Sequence, residues 1–151
     1  MNVENIAVVV VGGGSAAFEA AVAAQQSGAP RVVMLEKAPE PEFGGNARFS
    51  HTGFRFAYSG AKEIRGFLPD MNAAEFDRLH LPGYTPADFS ADLMRVTRGR
   101  INKSLAEVLV NESNAAVHWM DELGMQWEPA GNVEVDGKLY FEPGIVIHPT
   151  G

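Results

Sequence analysis

Cysteine is absent from all 151 residues. This excludes disulfides, thiolate metal sites and a cysteine nucleophile, and leaves the redox compartment open. Basic residues are scarce as well: 12 Lys and Arg stand against 19 Asp and Glu, for a net charge of -7. A general nucleic-acid binder needs a basic surface to neutralise phosphates, so no nucleic-acid partner is expected; a solvated acidic surface is the plain reading. No apolar run approaches the about 20 residues of a spanning helix, and nothing near the start has the basic, apolar and small-residue order of a signal peptide. No membrane span and a cytoplasmic location are therefore expected. Internal repeats and low-complexity segments are lacking too. What remains, 46% hydrophobic and 21% charged residues, is the composition of a globular protein of one domain or part of one.

The chain opens on a change of texture. Ile6 to Val11 is apolar and mostly β-branched, which suits a strand buried on both faces of a parallel sheet. Three glycines follow, and Ala16 to Gln26 is then alanine-rich and helix-favouring until Gly28 and Pro30 stop it. Arg31 to Glu36 reads as a second buried strand, completing a β-α-β unit with parallel strands. From Lys37 to Gly60, proline, glycine and polar residues predict a long loop, with one helical turn near Ala47 to His51.

Farther along, Ala73 to His80 and Pro86 to Arg98 read as short helices, the second capped by Thr85 ahead of its proline. Ser104 to Leu123 predicts an amphipathic helix whose core stripe is Leu105, Leu109, Ala116, Met120 and Leu123, with Gly124 as its stop. Met125 to Trp127 and Val133 to Phe141, turning at Asp136-Gly137, predict a small antiparallel element.

Gly12-Gly13-Gly14-Ser15-Ala16-Ala17 fits G-x-G-x-x-[GA] between a predicted strand and a predicted helix. Gly12 would allow the tight turn, Gly14 the approach of a pyrophosphate to the backbone, and Ala17 close packing of helix on strand. The N–H groups and dipole at the helix start would attract the phosphates. Glycine turns often serve chain geometry alone, and a glutamate at a strand end is often merely solvated. The two together say more: Glu36 follows Gly14 by 22 residues, where a carboxylate accepts hydrogen bonds from ribose hydroxyls and repels a 2′-phosphate. A dinucleotide other than NADP is expected. A second glycine turn, Gly44-Gly45-Asn46, offers further backbone N–H groups and suits the extended FAD better than NAD.

Val8 to Ala17, Glu36-Lys37-Ala38 and Gly44-Gly45-Asn46 together resemble the fumarate reductase/succinate dehydrogenase flavoprotein family. Within it, Asp92 to Thr97 with Gly99-Arg100, and Trp119-Met120 before Gly124, are most similar to members that oxidise tricarballylate to cis-aconitate. The resemblance spans nearly the whole chain. It departs at Ala47, where many relatives place a serine, which removes one hydroxyl contact to the cofactor.

The resemblance implies an α/β fold: a Rossmann-like FAD-binding β-α-β unit with the start of a substrate-cap region, an incomplete domain. It divides into 1–60, the N-terminal part of the FAD-binding domain, 61–124, a helical segment, and 125–151, the start of the cap region and return toward the FAD domain. Gly12, Gly14, Ser15, Ala16, Glu36, Lys37, Gly44, Gly45 and Asn46 are implied to hold FAD, with Thr52 and Gly53 near the isoalloxazine. The implied reaction moves a hydride between flavin N5 and a carbon beside a carboxylate of a small polycarboxylate, with an electron-accepting redox partner. The flavin carries the redox chemistry.

Membrane-associated relatives carry covalent flavin on a Ser-His-Thr sequence, and Ser50-His51-Thr52 matches those letters. Matching strand ends instead puts that histidine position near Gly44 to Asn46, so non-covalent FAD is expected. His51 is a candidate to face the substrate, against the plainer reading of a loop histidine. His80, His118 and His148 show no metal spacing and read as surface or satisfied residues. Arg48 and Arg55 are candidates to meet a substrate carboxylate, against surface arginines. Because relatives run to several hundred residues, the chain is expected to be the N-terminal part of a flavoenzyme, without turnover alone and with its catalytic acid and base beyond it. A fumarate reductase, a 3-ketosteroid dehydrogenase-like flavoprotein and a non-catalytic nucleotide-binding module are the alternatives.

Overall fold

Residues 5–50, 53–131 and 133–150 are described by the structure, a computed structural model. They form two compact units, Met1–His51 and Thr52–Gly151. The expectations for His51 and Thr52 fall on residues outside those described.

In the first unit, β1 (Val8–Val11) and β2 (Val32–Leu35) flank α1 (Ser15–Gln26). The strands pair in parallel, with Val8 opposite Val32 and Val11 opposite Leu35. β-Branched residues favour the extended chain, and the alanines of α1 favour helix at no side-chain entropy cost. The helix ends where the Gly28 N–H donates to the Gln25 carbonyl and the Ala29 N–H to the Ala24 carbonyl, the paired closure typical of a helix stopped by glycine. Two 3-10 turns follow, Glu40–Glu42 and Gly45–Phe49, the second replacing the helical turn expected from Ala47. One expectation is corrected. β1 and β2 are not buried on both faces, since Val9 is 49% and Val11 83% exposed. Among the described residues each of these strands pairs only with the other, so both are edge strands.

The second unit holds the buried core. Its helices are α2 (Ala61–Phe67), α3 (Ala73–Phe76), α4 (Pro86–Val96) and α5 (Lys103–Glu122). Thr85 caps α4 as expected: its side chain accepts from the Asp88 N–H while Asp88 reaches back to the Thr85 N–H. Asn72 and Glu75 make the same reciprocal box on α3, which is shorter than its expected span. Strands β3 (Trp127–Pro129) and β6 (Ile147–Pro149) are antiparallel. So are β4 (Val133–Val135) and β5 (Lys138–Tyr140), joined through Asp136-Gly137 as expected, both with positive φ. Met125 lies before β3, outside the strand.

Of the stripe expected on α5 only Met120 is buried, and the rest is corrected. Leu105, Leu109 and Leu123 are exposed, and so is Ala116. The buried stripe is Val110, Ser113, Val117 and Met120, a 3-4-3 spacing with a serine in the middle. That serine belongs inside because the Ala57 N–H donates to its Oγ at 3.1 Å, and the Oγ donates to the Val110 carbonyl at 2.9 Å. Phe56, Ile64 and Ile147 are fully buried alongside, each contributing about 1.5–3 kcal/mol by removal from water.

Residues 53–60, grouped by sequence with the N-terminal portion, make their bonds inside the second unit. Phe56 N–H donates to the Gly144 carbonyl, Tyr58 and Tyr84 form a two-way bridge, and Arg55 pairs with Glu142.

Candidate functional site

The tight turn after β1 is built by Gly12, whose φ of +124° suits glycine, and by its N–H donating to the Leu35 carbonyl at 2.7 Å. A Cβ on Gly12 would touch that of Ala17, one of two buried residues described in this unit. Helix therefore sits close on strand, as the small residue at position 17 allows. Gly14 is the N-cap of α1. The first hydrogen bonds of the helix run from the Ala17 and Phe18 N–H groups to the Gly14 carbonyl. Ser15 and Ala16 thus present their N–H groups ahead of the hydrogen-bonded ladder, and no acidic side chain stands in the first turn. This end of α1 carries the partial positive charge of its free N–H groups.

The second glycine turn lies against the first. Gly44 and Gly45 have φ of +111° and +56°. A Cβ on Gly45 would lie 3.7 Å from the Gly14 Cα, and one on Gly14 would lie 3.7 Å from the Gly44 carbonyl oxygen. The expected residues Gly12, Gly14, Ser15, Ala16, Gly44 and Gly45 are thereby brought together. Asn46 continues from Gly45 in an exposed turn. Arg48 donates to the Pro41 carbonyl at 2.8 Å and lies over the Phe49 ring, so it ties this loop together locally.

The three glycines of the first turn are needed for different reasons. Gly12 requires its positive φ, and Gly13 is crowded by side-chain ends, since a Cβ there would lie 2.7 Å from the Phe43 ring and 2.8 Å from Glu36 Oε2 and both would have to shift. Gly14 needs neither. Its φ of -88° is open to any residue, and a Cβ would meet only ordinary contact. The fold thus leaves above Gly14 a bare backbone that a side chain would cover, which is what a phosphate approaching main-chain N–H groups requires.

Glu36, just beyond β2, accepts a hydrogen bond from the Ala38 N–H at 2.8 Å. That bond, with further help from the Lys37 and Gly13 N–H groups and the Lys37 charge, outweighs desolvation and holds its carboxyl below the usual glutamate value. It is an ionised acceptor beside the glycine turn. Lys37 is exposed. Sequence reasoning missed Phe43 and Gly13 here; the one available signal was a third glycine where the motif demands two.

Gly53 lies in the second unit, where a Cβ would press on Ile145 Cγ2 at 2.7 Å. Arg55 is also there, engaged by Glu142 at 2.5 Å, by the Pro143 carbonyl and by Asp92 at 3.8 Å. It neutralises the chain's own carboxylates. His118 approaches Glu63 at 3.4 Å and His148 approaches Glu128 at 3.3 Å, while His80 stacks on Tyr140. Among the described residues, no three His, Asp or Glu side chains converge as a metal site, and no helix is long and apolar enough to cross a membrane.

Known proteins match this geometry. The structure of a flavocytochrome c3 fumarate reductase in its open conformation is similar over 98% of this chain, with a TM-score of 0.64 and 25% identity. This chain spans 22% of that one. A comparison with curated proteins gave no match. The FAD binding domain family matches residues 7–144. Matched over nearly its whole length, the chain belongs to that FAD-binding family.

Proposed function

We propose that the protein is an FAD-dependent oxidoreductase that moves a hydride between flavin and a small polycarboxylate, with tricarballylate to cis-aconitate as its reaction. The observation that carries the cofactor part is the bare backbone at Gly14, enclosed by the Gly44-Gly45 turn at the start of α1. Here the Ser15 and Ala16 N–H groups bind the pyrophosphate, and Glu36 orients the ribose by accepting from its hydroxyls. Lys37, Gly44, Gly45 and Asn46 complete the lining, and the family resemblance alone assigns Thr52 and Gly53 to the isoalloxazine. FAD supplies the hydride-accepting centre and is held without a covalent bond. An electron-accepting partner and a cytoplasmic location complete the proposal, the latter tested by cell fractionation.

The substrate reading rests on the resemblance of Asp92 to Arg100 and of Trp119 to Gly124. A fumarate reductase reading is favoured equally by the likeness to the flavocytochrome c3 enzyme. Dye-coupled oxidation of tricarballylate, succinate and a 3-ketosteroid by the full-length enzyme, set against its reduction of fumarate, separates the readings. Preference for tricarballylate supports the proposal, whereas exclusive turnover of fumarate or a 3-ketosteroid contradicts it. Acid precipitation tests the attachment: yellow flavin belongs in the supernatant and not in the pellet.

A further inference from the structure

The exposed aromatic pair of the first unit has no place in the cofactor motif. Phe43 and Phe18 meet edge to face, with centroids 5.8 Å apart and planes at 77°. Phe43 is 40% exposed, yet its Cε2 and Cζ atoms crowd the point where a Gly13 Cβ would stand, at 2.7 and 2.9 Å. Glu36 Oε2 reaches the same point at 2.8 Å. Ring edge and carboxylate thus share the volume that a side chain at position 13 would fill. The rim of an aromatic ring is its electropositive part and tolerates a neighbouring anion.

We propose that Phe43 is a positioning residue for the ribose-binding acid. It occupies the space over Gly13, is braced from α1 by Phe18, and leaves the Glu36 carboxylate room only where the Ala38 and Gly13 N–H groups hold it. A Glu side chain free to rotate would have to be ordered again at each binding event, and the ordering weakens binding. Phe43 therefore prepays that ordering and sets the affinity of the protein for the ADP half of the cofactor. This rests on the reading of the glycine turn as an FAD site.

The test is FAD titration of the whole protein, followed by flavin fluorescence, for the wild type, Phe43→Ala, Phe43→Leu, Phe43→Tyr, Glu36→Ala and the double variant Phe43→Ala/Glu36→Ala. Phe43→Ala is expected to weaken FAD about tenfold, and Phe43→Tyr to stay within about twofold of wild type. Phe43→Leu, close in volume but without a ring, should fall between and covers the case in which the alanine variant does not fold. Glu36→Ala should cost much less in the Phe43→Ala background than in the wild type, because the two act as one unit. Unchanged affinity in both Phe43→Ala and Phe43→Leu while Glu36→Ala weakens binding would overturn the proposal and leave the FAD site standing. Independent, multiplying losses in the double variant would overturn it too. If Glu36→Ala itself changes nothing, the site reading fails and the proposal falls with it.

Discussion

Glu36 and Glu63 show how neighbouring donors set a carboxylate. For Glu36, the folded pKa is lowered chiefly by the Ala38 N–H. A group with a depressed folded value stays ionised as pH falls through the ordinary range near 4.5 and loses its contribution only below it. FAD affinity, if it depends on this acceptor, is predicted to stay flat from neutral pH down to that range. Titrations at stepped pH check this, and an affinity that decays already around pH 6 contradicts it. Glu63 carries the same sign by another balance. Burial alone would raise its pKa, but bonds from the Ser59 N–H, Asn114, the Ser59 hydroxyl and His118 together lower it. Removing it strands those donors in a half-buried place, so Glu63→Ala is predicted to cost about 1–3 kcal/mol in chemical denaturation, and Glu63→Gln to recover only part of that, because its amide offers one accepting oxygen where the carboxylate uses two. At Gly13, alanine would collide with Phe43 and Glu36. A third glycine, where the dinucleotide motif asks for two, leaves both side chains in place.

At the scale of elements, what depends on near neighbours was legible. The β1-α1-β2 unit, the Thr85 cap and the Asp136-Gly137 turn each have their determinants within a few residues, so sequence reasoning located them. What depends on distant partners was not. All of the stripe assigned to α5 but Met120 was misplaced, because Ser113 is polar in sequence and becomes a core residue only through Ala57, far away in the chain. β6 needs β3 to exist, and α2 starts at Gly60 without a side-chain cap. The convergence of Gly14 with Gly44-Gly45, and of Phe43 with Gly13, likewise bridges about thirty positions that no local pattern links. The corrected stripe has a direct check: Ser113→Ala leaves a buried N–H unpaired and should cost about 1–3 kcal/mol, whereas Leu105→Ala on the exposed face should stay within about 0.5 kcal/mol. The end of α4 offers the opposite sign. Arg98 sits at φ +52°, with its N–H bonded to the Arg95 carbonyl and the Gly99 N–H to the Met94 carbonyl. Glycine suits that left-handed closing position better, so Arg98→Gly is predicted to stabilise by up to about 1 kcal/mol in urea unfolding.

Across the whole molecule, the buried core and the glycine turns reside in different units. The large buried cluster lies entirely between Phe56 and Ile147, whereas the described residues of the first unit bury only Gly13 and Ala17. A ligand held by the first unit adds stability by mass action, about 2.7 kcal/mol at a hundredfold excess over its dissociation constant. The central claim is that the bare backbone at Gly14 exists for a pyrophosphate and not for the fold. Thermal unfolding with and without FAD, on the wild type and on Gly14→Thr, tests it most directly, because threonine caps a helix about as well as glycine while covering the backbone. The account predicts nearly equal unfolding temperatures without FAD and an FAD-induced rise in the wild type alone. An undiminished rise in Gly14→Thr would contradict it.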